Sequence, residues 1–366
     1  MLKKLVLLVS GVLLLISLLG STAAGQGTGL TAGYATTPPT LDGDGGDAAW
    51  AEAAEHVVSV SGGKIGSVDV TLKALYDGKD LFVLAQWPDS SLSIDKNLWE
   101  FDGSAWSKSG NEDRIAFLWN MGIAGFEEQG CLVACHTDGM RTNADGELAD
   151  EWHWKAARSN PIGYSDDKYL DNSFVEGDVE AGHHGDGGDS TYADNNNEAG
   201  DGPAKTWTDP AAPAVPPYAS ADQAGSFLLR DDAVNLVAAA AGDKVPGYLL
   251  REPSGSRGDV KTVGTWANGM WTVEFQRSLN TGDNATKDGT PVDVVFDTAK
   301  TYLFGVAVMD DAGSSHSTNA GVVALDFAAP PAGLPVTGGV PGALVQTAMV
   351  AGGLAALSLA ASLRKR

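Results

Sequence analysis

The chain has 366 residues, of which 43% are hydrophobic and 19% charged, with 46 glycines, so it carries enough apolar sequence for a large folded core and is no disordered tail. Lysine and arginine number 24 against 47 aspartates and glutamates, a formal net charge of -23. Such a surface repels a phosphate backbone at ordinary salt, which argues against nucleic acid as a partner.

In chain order, Lys3 and Lys4, an apolar run to Leu19 and small residues around Ala23 and Ala24 have the layout of a signal peptide over residues 1–25, with an uncleaved anchor as the alternative. Residues 26–36 are expected to be a linker, and 37–329 the folded body. The body opens on "LDGDGGDAAWAEA", which resembles the start of sandwich domains of the carbohydrate-binding and DOMON type, with Trp50 expected to cap the end of the core. "SVDVTLKALYD" and "DLFVLAQWPD" then alternate apolar and polar residues around the turn "YDGKD". "DRIAFLWN", "MWTVEFQRSL", "TYLFGVAVMDD" and "AGVVALDF" follow, each bounded by Gly, Asp or Asn. Period two with few helical patterns predicts an all-β fold, an antiparallel β-sandwich with long inserted loops. The longest loop, Asp171 to Ser220, is rich in Gly, Asp, Asn and Pro, and is expected to lie across the mouth of a pocket.

The C-terminal end carries an address. Residues 330–341 form a second linker, and within it "LPVTGG", Leu334 to Gly339, stands before an apolar segment. That segment, within 342–366, holds roughly 20 apolar or small residues, about one bilayer crossing, and ends in Arg364, Lys365 and Arg366. The three features in this order resemble the cell-wall sorting signal of Gram-positive-type surface proteins, in which a sortase cuts after the threonine, here Thr337. A Pro/Gly hinge before an ordinary transmembrane helix is the plainer alternative. Both place the body outside the cytoplasm and tether it to the membrane or the wall.

The densest chemistry lies in "FEEQGCLVACHTDGMRT", Phe126 to Thr142, which holds the only two cysteines, Cys131 and Cys135, with His136 next and Met140 four residues on. A disulfide between them closes a very small loop and stabilises little. Zinc wants four ligands in close couples, and no second couple is evident. Haem attachment uses Cys-x-x-Cys-His, and the spacing here is one residue longer. The spacing alone leaves haem and a local disulfide both open.

The phrases around this motif decide what it resembles. "FEEQGCLVACHTDGM", "DEWHWKAAR" and "DVKTVGTWANGMWTVEFQRSL", in this order over about Leu41 to Phe327, are similar to the haem-binding domain family of the ethylbenzene dehydrogenase and dimethylsulfide dehydrogenase small subunits, which includes stand-alone surface cytochromes. The resemblance implies a β-sandwich with one haem, passing electrons to or from a molybdenum oxidoreductase or a respiratory partner. It also implies methionine and lysine as iron ligands, which brings in Met140 and leaves Lys155 and Lys261 as open lysines. The two faces of a porphyrin need ligands from separate segments, so His136 and Met140 compete for one side. His136 is expected there, with Met140 as its substitute and His316 in "MDDAGSSHST" on the other side. Cys131 and Cys135 bind the vinyl groups if the haem is of the c type; otherwise it is of the b type.

Other groups have plainer explanations. His153 is expected as a packed, hydrogen-bonded side chain, His183 and His184, beside Asp186 and Asp189, as part of a solvated polar loop with a divalent-ion site as the alternative, and His56 as surface. The tryptophans are core, although some could wall a haem edge. The pairs Asp166/Asp167 and Asp310/Asp311 have calcium chelation as an alternative, but no Asp-x-Asp-x-Asp-Gly loop is present and they are expected in turns. No nucleophile with a matching base and no phosphate-cradling loop stands out, so the chain reads as an electron-transfer protein, or an accessory subunit of an oxidoreductase, and not as an enzyme in itself. Its acidic surface predicts a partner with a basic docking face. The alternative from another class is a wall-anchored carbohydrate-binding or adhesion module without haem.

Overall fold

Alternating sequence folds into strands whose successive side chains point to opposite faces, and that parity organises the molecule. The structure, a computed structural model, describes residues 29–282, 286–287 and 289–332. Thirteen strands form the main sheet: β1 (Leu30–Tyr34), β2 (His56–Gly63), β3 (Gly66–Tyr76), β4 (Asp80–Pro88), β5 (Arg114–Asn120), β6 (Ala149–Lys155), β7 (Asp166–Leu170), β8 (His183–Gly185), β9 (Lys261–Ala267), β10 (Met270–Ser278), β11 (Tyr302–Met309), β12 (Ser317–Asn319) and β13 (Val323–Phe327). Their order is β8-β7-β6-β5-β11-β12-β2-β3-β4-β10-β9. β1 lies parallel to both β13 and β3, and β13 pairs in turn with β11.

The sheet folds on itself. Phe117 of β5 meets Phe275 of β10 at 5.0 Å between ring centres, and Trp154 of β6 meets Trp271 of β10 at 4.8 Å, although these strands are far apart in the sheet order. The β5-β6-β11 half therefore faces the β3-β4-β10 half. Between them lie Trp87, Trp119, Trp152, Phe296 and Phe304, each buried, in one aromatic core. Each such side chain stabilises the fold by about 1.5–3 kcal/mol through burial alone. Trp50 closes a smaller cluster outside β4 and donates its indole N–H to Glu274 Oε1 at 2.7 Å, so it seals an edge as expected.

All six segments expected as strands are strands. The linker expected over 26–36 is corrected, because Leu30–Tyr34 is β1, with Leu30 and Ala32 fully buried between β3 and β13. Five residues with two glycines nearby carry too little alternation to be seen alone. The stretch from Asp171 is less irregular than expected: β8 extends the main sheet, and Tyr192–Asp194 and Lys205–Trp207 add short pairings. With the chain around Leu98–Phe101 and Lys244–Val245 it buries Trp99, Trp207, Leu228 and Val245 as a small core of its own. Among the described residues no helix is long and apolar enough to cross a membrane. The expected signal peptide, "LPVTGG" and apolar C-terminal segment lie outside the described residues.

Candidate cofactor site

If one face of β5, β6 and β11 builds the core, parity sends the alternate residues outward, and there they floor a cavity of about 520 Å³. The pairing registers set three rows across these strands: Leu118, Glu151 and Gly305; Ala116, His153 and Ala307; Arg114, Lys155 and Met309. On β5 and β11 the floor is thus small and apolar up to Arg114, while β6 lines it with Glu151, His153 and Lys155.

The Cys/His segment is the roof. A short helical turn, Gly130–Ala134, leads into a two-residue hairpin pairing Cys135 with Met140 and His136 with Gly139. Two glycines let it lie close to the sheet. Gly130 takes φ 61°, and a Cβ there would fall 1.8 Å from the Gly321 carbonyl oxygen. A Cβ on Gly305 would fall 2.8 Å from Cys131 Cβ. Cys131 is buried, with Sγ 2.9 Å from Thr318 Oγ1; Cys135 is half-buried, and both thiols are free. Burial pushes the Cys131 thiol up, and burial together with the neighbouring Cys131 and Glu151 pushes Cys135 up to about 11. Both therefore stay protonated at neutral pH. His136 Nε2 is buried without a hydrogen-bond partner.

Two further segments complete the wall: Val179, Glu180 and His183 on one, Gly313, Ser314 and His316 on another. Thus Cys131, Cys135, His136, Met140 and His316, the five residues singled out from sequence, line one cavity. His316 Nδ1 lies 3.0 Å from the Ser314 carbonyl oxygen. Of the two open lysines, Lys155 lines the cavity, whereas Lys261 is exposed on β9.

The charged groups were largely missed. His153 is packed in the cavity floor as expected, with Nδ1 3.2 Å from Glu151 Oε1, but its Nε2 has no partner. Burial pushes it down to about 3, which keeps it neutral. His183 is no solvated loop residue: its Nε2 contacts Glu151 and its Nδ1 lies 2.9 Å from Glu180 Oε2. Burial opposes the charge on Glu151, but the His183 cation, helped by the neutral His153 ring with Nδ1 3.2 Å from Glu151 Oε1, holds that carboxylate well below the usual range. Burial also opposes the His183 cation, and Glu151 and Glu180 more than offset it, so His183 is raised. Its contribution to stability is full below about 6.5, the unfolded value, and is lost as pH rises through the folded value. An NMR titration of the folded protein is expected to find the His183 ring protonated above 6.5, and Glu151→Gln to bring its midpoint back down; an unchanged midpoint in the variant would contradict the pairing.

At the charged end, Glu112 sits fully buried between two guanidiniums, 2.6 Å from Arg158 Nε and 3.3 Å from Arg114 Nε. Lys155 Nζ contacts Asp166 and lies 3.0 Å from the Tyr192 hydroxyl, and burial lowers it to about 8. Asp166 and Asp167, expected in a turn, are buried on β7. The tryptophans expected as possible walls are absent from the lining, because parity puts those of β5 and β6 on the core face. His153 and Lys155 were legible in principle: "EWHWK" alternates polar and aromatic residues, and the polar set shares one face.

Residues 47–320 match the family model described as ethylbenzene dehydrogenase. The chain belongs to that family. No curated protein matches it in sequence. Solved structures that overlap it include a family 9 carbohydrate-binding module from Caldicellulosiruptor kristjanssonii in complex with cellotriose, at 12% identity and TM-score 0.31, covering 84% of this chain and 97% of that one. A putative carbohydrate-binding protein from Bacteroides uniformis ATCC 8492 overlaps at 7% identity and TM-score 0.34, covering 82% of this chain and 100% of that one. Overlap at these TM-scores carries no argument about function.

Proposed function

We propose that this member of the ethylbenzene dehydrogenase family is an electron-transfer protein holding one haem in the cavity over β5, β6 and β11. One observation carries the reading: segments far apart in the chain bring Cys131, Cys135, His136, Met140 and His316 to one cavity. The volume of about 520 Å³ falls within the range of cofactor sites, roughly 300–1,000 Å³. The small floor of Ala116, Gly305 and Ala307 suits a flat ring, and the buried, unpartnered Nε2 of His136 suits a metal ligand. Lys96, Arg114 and Arg158 at the charged end suit carboxylate side groups.

Haem bound there supplies a one-electron couple whose potential depends on its axial ligands and its burial. The chain's own part is to hold and shield it. His136 and His316 would hold the iron, with Met140 as the substitute for His136; Cys131 and Cys135 would give a c-type attachment, and without it the haem would be of the b type. The acidic surface then meets a basic redox partner, a molybdenum oxidoreductase or a respiratory component, from an extracytoplasmic position at the membrane or wall. The adhesion alternative lacks support in this cavity, whose lining offers Tyr192 as its one aromatic platform apart from histidines.

His136→Ala and His316→Ala, made separately, are expected each to move the visible spectrum from low-spin to high-spin bands. Spectra unchanged in both variants would overturn the ligand assignment.

A further inference from the structure

On the other face of β6 and β7 lies a group of acids that the cavity does not use. Parity points Asp150 and Asp167 into the sandwich, beside Trp152 and opposite Arg277, which ends the core row of β10. Asp293 arrives from the chain before β11, and Asp186 from just after β8. All four aspartates and Arg277 are buried.

We propose that Asp150, Asp167, Asp186 and Asp293 form a calcium site buried between the two halves of the sandwich.

One carboxylate oxygen from each of Asp150, Asp167 and Asp293 lies within 4.8 Å of the others. Calcium–oxygen distances of about 2.3–2.6 Å allow two ligands on opposite sides of one ion to stand about 5 Å apart, so the spread fits a single ion. The oxygens divide their work in a telling way. Asp150 Oδ2 accepts from the Val294 N–H, Asp293 Oδ2 from the Thr281 hydroxyl and Asp186 Oδ2 from the Ser256 hydroxyl. The second oxygen of each has no hydrogen-bond partner. Asp167, with no exposed surface, has no partner on either oxygen although one is aimed into the cluster. An unpartnered buried carboxylate costs several kcal/mol in a protein without a compensating charge.

Arg277 supplies one charge only: its Nη2 lies 3.4 Å from Asp150 Oδ2 and 3.3 Å from Asp293 Oδ1. Arg257 also acts on Asp186 but is itself paired with Asp166 at 2.6 Å, so four carboxylates still leave a surplus of negative charge that a divalent cation offsets in large part. The donor set is all oxygen, which disfavours zinc. Carboxylates from four separate segments, all buried, favour calcium over magnesium, which keeps waters and demands near-octahedral geometry. Bound there, the ion ties Asp186 and Asp293, on inserted chain, to the back of the cavity floor.

The site is independent of haem, and its test needs none. Chelator-treated full-length protein at physiological salt is expected to take up about one calcium per chain in equilibrium dialysis, and to melt several degrees higher with calcium than with EDTA. Terbium is expected to bind with luminescence excited through tryptophan, since the Trp152 ring is 5.4 Å from the Arg277 guanidinium, and to be displaced by calcium. Asp167→Asn should weaken calcium binding by about tenfold or more. Asp89→Asn, in the separate cluster of Asp89, Asp113 and Asp310, should leave it unchanged. Wild-type protein with no stoichiometric uptake and a melting point indifferent to EDTA would overturn the proposal, as would uptake that survives Asp167→Asn in a folded variant. Should that variant not fold, the dialysis and terbium results on the wild type decide.

Discussion

Glu112→Gln is expected to lower the unfolding free energy by about 3–5 kcal/mol, the range for breaking a buried ion pair and leaving its partners uncompensated. Glu112 is completely buried and accepts from Arg158 Nε at 2.6 Å and from the Ala157 N–H at 3.0 Å, while Arg114 Nε stands 3.3 Å away. Glutamine keeps the shape but removes the charge that two guanidiniums share. Burial alone would raise the glutamate; Arg158, then Arg114 and Lys155, overcome it and hold it below its usual value. A depressed carboxylate contributes stability that is present above its unfolded value of about 4.3 and is lost as pH falls through the folded value. The wild-type advantage over Glu112→Gln should therefore shrink in acid. Urea denaturation at pH 7 and pH 3 checks both statements; a loss below about 1 kcal/mol at pH 7 would mean that water reaches the guanidiniums. Arg114 and Arg158 also line the cavity, so the variant should loosen its charged end.

The second large effect is all-or-none. If the haem is of the c type, the Cys131→Ser/Cys135→Ser variant should release its colour into acidified organic solvent, while the wild type retains it. Cys131 and Cys135 would hold such a haem by thioethers, which survive extraction, whereas a haem held by its iron ligands alone would be extracted. The structure favours the thiols for this: both are free, both are held protonated by burial, and Gly305 lets Cys131 sit against the cavity floor. Colour extracted equally from both proteins would assign the b type.

The hairpin strands were legible because a half-buried strand writes its parity into the sequence, as in "SVDVTLKALYD" and "DLFVLAQWPD". β1 was not, since a five-residue strand held by partners at Leu325 and Ala74 draws its stability from distant chain and not from its own pattern. At the site, the thiols, His136 and Met140 were legible as one short motif. His316 needed an argument about the two faces of a porphyrin. The Glu151–His183 and Glu112–Arg158 pairs were invisible, because their partners lie tens of residues apart in the chain. Asp166 and Asp167 show how adjacency misleads: two acids in a row suggest a turn, yet on a strand they face opposite ways, one to Lys155 and Arg257, the other into the sandwich.

The pyridine haemochrome spectrum of the full-length protein, purified after expression with cytochrome maturation factors, tests the central claim most directly. The account predicts a Soret band in the native protein and a haemochrome corresponding to about one haem per chain. A fully matured, folded protein without colour would contradict it, and would return Cys131 and Cys135 to the smaller role of a local disulfide.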